Sequence, residues 1–186
     1  MVKNFVSVDN PHRLLTPGCV TLISVGDGQD KNIFPVAWTM PLRKAPPMLA
    51  ILSGKSHFSY KFIKKTGEFG LNIPDKSIAK EVIKSGKISG KDVGDKFKHT
   101  GLTPISSSKI KAPLIEEAIA RMECRVSQVT DMGSSAILIA QIIRTEVRSD
   151  CYNDGKWDFS KGLELIHHMG GNEFAISDHS ITVQRK

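Results

Sequence analysis

The sequence predicts a mainly β protein, an antiparallel barrel with helical insertions. Three observations predict it. Short apolar runs rich in β-branched residues fill the first third and return between residues 121 and 148. Helical periodicity is confined to a stretch in the middle. Strands and helices do not alternate regularly, which argues against a doubly wound parallel sheet.

The elements follow in order. Residues 19–25 read as a buried strand, residues 26–32 as a turn cluster, and residues 33–40 as the returning strand of a hairpin. Pro41 and the pair Pro46-Pro47 mark a corner, and residues 48–52 form a third strand. The period then changes. Phe58, Phe62 and Ile63 sit at helical spacing within residues 57–66, with Ser56 as a possible cap and Gly67 closing the helix. Residues 68–73 are a strand stopped by Pro74, and residues 77–84 a second helix with Asp75 as its cap. Residues 85–102 read as a long loop rich in Gly, Lys and Asp, a kind of segment that is usually functional. Residues 121–130 and 136–148 are long strands around a turn at 132–135, followed by a polar excursion at 150–159. Residues 174–176 and 181–183 read as short final strands.

A chain of 186 residues suits one domain, expected to span residues 1–186. With 40% apolar and 24% charged residues, nothing points to disorder. No apolar run is long enough to span a bilayer, and the N-terminus carries no apolar signal core, so a cytoplasmic location without membrane attachment is expected. Cys19, Cys124 and Cys151 are too few and too widely spaced for a disulfide framework. Cys19 and Cys124 sit in apolar runs and are expected to be buried.

Net charge is +7, and eight lysines between residues 80 and 111 against Glu81, Asp92 and Asp95 leave +5 of it there. Such a segment suits nucleic acid, a phosphorylated ligand or a solvated face. Of the few aromatics only Phe97 interleaves these lysines, so a stacking surface for nucleic acid is not expected.

Several motifs are absent: a dinucleotide Gly-x-Gly-x-x-Gly, a Walker A loop, His-Glu-x-x-His and Gly-x-Ser-x-Gly. His167 and His168 are adjacent and cannot share a face, so no metal site is expected. Three polar clusters remain. The first joins Asn32 to Val36-Ala37-Trp38-Thr39, where small and hydroxyl residues could let a flat ring approach the backbone; the alternative is that Trp38 is core. The second runs from Ser53 through Lys55, His57 and Ser59 into a helix start. Amides, hydroxyls and a lysine there suit a phosphate dianion, or simply an N-cap with solvent-facing residues. The third, Ser89-Gly90-Lys91-Asp92-Val93-Gly94-Asp95-Lys96, combines glycines that allow close backbone approach with positive charge.

Read together, several segments are familiar. Pro35-Val36-Ala37-Trp38-Thr39 precedes Pro46-Pro47. His57-Phe58-Ser59-Tyr60 leads through Thr66-Gly67-Glu68-Phe69 to Asn72-Ile73-Pro74. Ser89-Gly90-Lys91-Asp92 is followed by Asp95-Lys96-Phe97, Gly101-Leu102-Thr103-Pro104 and Ala112-Pro113-Leu114-Ile115. His168-Met169-Gly170-Gly171 stands near the end. In order and spacing over residues 15–176, the chain resembles the flavin reductase-like, FMN-binding split-barrel family, and among its members the flavoredoxin type.

The resemblance implies an antiparallel split barrel and a homodimer with FMN near the interface. It also implies site residues. Ala37, Trp38 and Thr39 would lie by the isoalloxazine, and Lys55, His57 and Ser59 would contact the phosphate; Asn32 and Ser53, from the first and second clusters, are counted with them as cofactor-binding. Asn72 would border the flavin or ribityl chain. Ser89, Lys91, Asp92 and Lys96 would close over the cofactor, and His168 and Gly170 would sit near the ring. No side chain is needed as a catalyst, because the cofactor carries the chemistry. The activity implied is an NAD(P)H-dependent FMN reductase, with NADH or NADPH as hydride donor. The alternative is an electron carrier whose tightly bound FMN is reduced by another redox protein. The sequence departs from the family pattern in two places. Lysines stand at 55 and 91, at one or other of which many relatives are expected to carry arginine, and a lysine is a point charge rather than a bidentate fork. Gly70-Leu71 replaces a β-branched pair, which is expected to loosen that strand.

Overall fold

Apolar and β-branched residues near the N-terminus build five strands in the computed structural model, which describes residues 18–184. The N-terminal segment read above for a signal core lies outside the described residues. The strands are β1 (Gly18–Cys19), β2 (Thr21–Gly26), β3 (Lys31–Val36), β4 (Thr39–Lys44) and β5 (Pro47–Gly54). In the β2–β3 hairpin the Asp27 carboxylate accepts from Gln29 N and Asp30 N at 3.1 and 3.0 Å, which turns the chain.

Two expected strands each prove to be two. The run at 19–25 breaks at Val20: β1 leaves to pair with β13 (Leu165–Gly170), while β2 stays in the main sheet. The run at 33–40 breaks at Ala37 and Trp38. There the chain leaves β2 and crosses to lay β4 against β5. Continuous apolar sequence cannot reveal either break, because both halves of each run are strand and only the partner changes.

β6 (Glu68–Ile73), β9 (Ala120–Met132) and β10 (Ser135–Val147) complete an antiparallel sheet of order β3-β2-β6-β9-β10-β5-β4. With β1, β13 and β14 (Glu173–Ser177) in a second sheet, the fold is a split β-barrel. Two minor pairs, β7 (Pro104–Ile105) with β8 (Leu114–Ile115) and β11 (Tyr152–Asn153) with β12 (Lys156–Trp157), lie outside both. Residues 181–183 are not a strand, since no sheet edge pairs with them, and Ile181 and Val183 are exposed.

Helix α1 (Tyr60–Thr66) starts later than expected, at Ser59 rather than Ser56, because residues 54–60 first turn through His57 N→Gly54 O and Tyr60 N→His57 O bonds. Gly67 ends it at φ 67°, where glycine alone is unstrained. Asp75 caps a single 3-10 turn (Lys76–Ile78) that leads into α2 (Ala79–Lys87). The expected loop at 85–102 instead contains two short helices, α3 (Gly90–Val93) and α4 (Lys96–Thr100). Ser89 and Asp95 side chains cap them by accepting from Lys91 N and Phe97 N. Elements of four and five residues are too short to show a period, so only their caps announced them.

The core has two parts. Ile23, Phe34, Ile51, Phe62, Phe69 and Leu138 belong to the larger cluster, within the main sheet and α1. Leu22, Ile33, Val82, Phe97, Ile115 and Ile166 form the second and tie α2 and α4 to β2 and β3. Burial of Phe97 alone contributes about 1.5–3 kcal/mol and fixes α4 in place. Cys124 and Cys151 are buried, whereas Cys19 is exposed: it lies on β1, which leaves the main sheet to pair with β13.

Gly70 does not loosen β6. A Cβ there would press on the Ser24 hydroxyl and lie 2.9 Å from Pro113 O, and that hydroxyl donates to the same carbonyl. The glycine lets residues 113–115 lie directly on the sheet. No helix among the described residues is long and apolar enough to cross a membrane.

Candidate functional site

The second core cluster fixes α2 beside β3, and two cavities adjoin along this seam. One, of ≈350 Å³, is the more polar, and the other, of ≈290 Å³, is largely apolar; they share Pro35, Gly86 and Lys87 as walls. Together they make an elongated groove with chemically different ends. Gly86 lets the helix sit close at the junction, since a Cβ there would come within 3.1 Å of Pro35 Cγ.

Lys96 defines the polar end. It opens α4 at the edge of this cavity and is only 4% exposed. Its ammonium donates to Ile33 O at 2.8 Å and Ser85 O at 2.6 Å, and no carboxylate pairs with it among the described residues. Burial lowers its pKa from 10.5 to about 8. Three N–H donors against two carbonyls leave the charge without a counter-ion. Beside it Asn32, 1% exposed on β3, keeps its side-chain Oδ1 buried with no hydrogen-bond partner. Gly90 makes room for that amide: a Cβ there would lie 2.9 Å from both Asn32 amide atoms and 2.7 Å from Phe58 Cδ1. His57, Ser59 and Ser89 complete this wall, the two serines each standing at a helix start. Ser53 Oγ, on β5, is the other buried side-chain polar atom without a partner among the described residues. Leaving such an atom unpaired costs about 1–3 kcal/mol.

Pro35, Ala37, His168 and Phe174 line the apolar end. The His168 ring packs on Phe174 with centroids 5.7 Å apart, and its Nε2 lies 3.2 Å from Gly171 O. Gly170, at φ 122°, makes the bend between β13 and β14 that holds these two rings together. Ala37 and Trp38 occupy the break between β3 and β4. Trp38 is 53% exposed, so it is not core, and its carbonyl accepts from Leu52 N. Thr39 shares a hydrogen bond with Thr21 at 3.1 Å.

Eight expected residues are not brought into the groove walls: Trp38, Thr39, Ser53 and Gly170, placed above, and Lys55, Asn72, Lys91 and Asp92. The Lys55 ammonium is paired with Asp131 across the β9–β10 turn. Asn72 is in the interior with its amide fully engaged: Nδ2 donates to Leu22 O and Ser24 Oγ, and Oδ1 accepts from Ile115 N. It pins residues 113–115 to the sheet and lies outside both halves of the groove. Lys91 and Asp92 are exposed on α3 and take no part in the lining. Sequence reasoning missed Gly86 and Lys87 at the junction; a glycine in the last helical turn was the available signal.

A family model, the flavin reductase like domain, matches residues 13–170. The Escherichia coli (strain K12) protein YddH, itself uncharacterized, is 30% identical over 188 residues, covering 97% of this chain and 99% of its own. Among solved structures, the FMN-binding domain of a flavin reductases-like enzyme from Shewanella baltica OS155 superposes with a TM-score of 0.83 at 21% identity, covering 96% of each chain. Flavoredoxin from Methanosarcina acetivorans superposes with a TM-score of 0.83 at 23% identity, covering 97% of this chain and 95% of that one. These two likenesses carry the fold.

Proposed function

The chain belongs to the flavin reductase-like domain family, and from that premise we propose that its groove holds FMN and that the protein is an NAD(P)H-dependent flavin reductase working as a homodimer. One observation carries the reading: the buried Lys96 ammonium without a counter-ion, beside the unpartnered Asn32 Oδ1, at the polar end of a groove whose other end is apolar. FMN has the matching asymmetry, a phosphate dianion at one end and a flat ring at the other, and the residues present fit it.

Lys96, Ser59 and Ser89 would hold the phosphate end. Pro35, Ala37 and Phe174 would exclude water from the ring, and His168 would present its imidazole at that end. When bound, FMN supplies a ring nitrogen that accepts hydride from a nicotinamide. The protein contributes position and charge. Lys96 stays protonated against the phosphate, and no side chain is required to form a covalent bond or abstract a proton. The test is the visible spectrum of the purified protein, followed by anaerobic addition of NADH and NADPH. A yellow protein bleached rapidly by either is the expected result. A protein that takes up no added FMN would overturn the reading.

A second reading, an electron carrier whose FMN is reduced by another redox protein, is favoured by a separate observation, the lysines of α2.

A further inference from the structure

Helix α2 carries Lys80, Lys84 and Lys87 at intervals of four and three residues, which place them in a row along one side. All three are exposed, and none is paired with a carboxylate among the described residues. Lys91 and Lys98, next along the chain, are exposed and unpaired in the same sense. Elsewhere several ammoniums are neutralised: Lys55 by Asp131, Lys65 by Asp27 and Lys76 by Glu164. Between residues 80 and 98 the acids are Glu81, Asp92 and Asp95, and Asp95 is engaged with Lys31.

Local stability does not account for the row. Like charges four apart disfavour a helix. The helix dipole compensates Lys84 and Lys87 in the last turn, but Lys80 lies in the first turn, where the dipole repels it. The row covers about 10 Å of helix, more than one phosphate group can use. It also leads to the site, because Lys87 lines both halves of the groove.

We propose that this row on α2 is a docking surface for an acidic redox protein that exchanges electrons with the cofactor in the adjoining groove. The proposal rests on the FMN reading. Charge complementarity selects an acidic surface and steers its encounter with this helix. In the reducing direction the partner's metal centre loses one electron per encounter and is oxidised. Two encounters deliver two electrons to the flavin, and water supplies the accompanying protons.

The probe is an acidic [2Fe–2S] ferredoxin. Its binding to the protein, measured by calorimetry in 20 and 300 mM NaCl, needs no flavin and so tests the surface separately from the FMN reading. Stopped-flow oxidation of the reduced ferredoxin by the FMN-loaded protein then follows electron transfer. The variants are K80E/K84E and, as a control of equal charge change on exposed lysines elsewhere, K156E/K161E. In the wild type, binding and rate fall steeply with salt. K80E/K84E lowers both by roughly tenfold or more in 20 mM NaCl, the control changes them less than about twofold, and reduction by NADPH is unchanged in either. Equal behaviour of the two variants, or salt-independent ferredoxin binding, overturns the proposal. So does a slowed NADPH reaction in K80E/K84E with ferredoxin binding intact, which would assign the row to a nucleotide.

Discussion

At the scale of single residues, Lys96 is where sequence and geometry meet. An ammonium that is 4% exposed, held by two carbonyls and lacking a carboxylate costs free energy that a bound dianion would offset. Replacing Lys96 with Met is expected to weaken FMN binding by about 1.5–3 kcal/mol, the worth of a charge-assisted hydrogen bond, read by fluorescence titration. Lys55→Ala is expected to weaken it far less, because the Lys55 ammonium is occupied by Asp131. Equal losses in the two variants would place the phosphate nearer Lys55. The pH dependence has two opposite signs. Between about 8 and 10.5 the unfolded chain keeps a proton on Lys96 that the folded, ligand-free protein has released, so its stability rises with pH across that window. FMN affinity runs the other way, holding below about 8 and falling as the ammonium is lost above it; a flat affinity from pH 7 to 9.5 would remove Lys96 from the phosphate site. His168 was implied by the family resemblance alone, whereas Asn32, Ser59, Ser89 and Lys96, which line the candidate site, were legible because their clusters sit at strand ends and helix starts, which the sequence marks with turn and cap residues. The engagement of Lys55 and Asn72 was not, since their partners Asp131 and Ile115 lie 76 and 43 residues away.

Among the elements, β9 shows how a strand can hold a loop through one buried group. Glu123, 1% exposed, accepts from Ser108 N, Ser108 Oγ and Lys109 N, and lies 3.6 Å from Arg144 Nε. Burial alone would raise its pKa, but these donors and the arginine charge outweigh it and hold the carboxyl below its ordinary value of 4.5. A depressed carboxylate stabilises the fold above that value and loses the contribution as pH falls through the folded pKa. Glu123→Gln is therefore expected to cost about 1.5–3 kcal/mol at pH 7, with the deficit shrinking below pH 4.5. Urea unfolding at pH 7 and pH 3.5 checks this, and an equal deficit at both would mean that shape rather than charge holds the loop. On β6, Gly70→Ala is expected to destabilise by about 1–3 kcal/mol, because the added methyl must displace the Pro113 carbonyl or the Ser24 hydroxyl; an unchanged urea midpoint would show that the loop yields freely. Strands such as β6, with its boundaries at Glu68 and Ile73, were readable from their apolar residues and flanking turns. The breaks at Val20 and at Ala37–Trp38 were not, because a change of partner strand leaves no mark on local composition.

For the whole molecule, the outer face of the barrel bears on the proposed homodimer. Ile51 and Leu138 point into the core, so their neighbours Ala50, Leu52, Ile137 and Ile139 face the other way. Cross-strand register sets Met40, Ala50 and Ile139 in one row over β4, β5 and β10, with Leu52 and Ile137 in the next. Met40 is 55% exposed, and Leu42 on β4 and Trp38 just before it add exposed apolar surface. Ala50 is buried and Leu52, Ile137 and Ile139 are half-buried, so Met40, Leu42 and Trp38 carry most of the exposed apolar surface, which suits the proposed association. The edge strand itself is a poor template for strand addition, because Pro41 has no N–H and the register slips between Pro41 and Arg43. Side-chain packing of two such faces therefore suits a homodimer better than a sheet continued across the edge. The same strand begins at Thr39, two residues after Ala37 in the apolar wall of the groove, so a second copy would stand close to the ring end of the cofactor. The double variant M40D/I137D is expected to halve the mass seen by light scattering, to 20.5 kDa, with the fold retained by circular dichroism. If its FMN affinity drops with its mass, the second copy completes the groove. If affinity holds while the dimer dissociates, each chain binds FMN alone. A wild-type protein already at 20.5 kDa would remove the homodimer altogether.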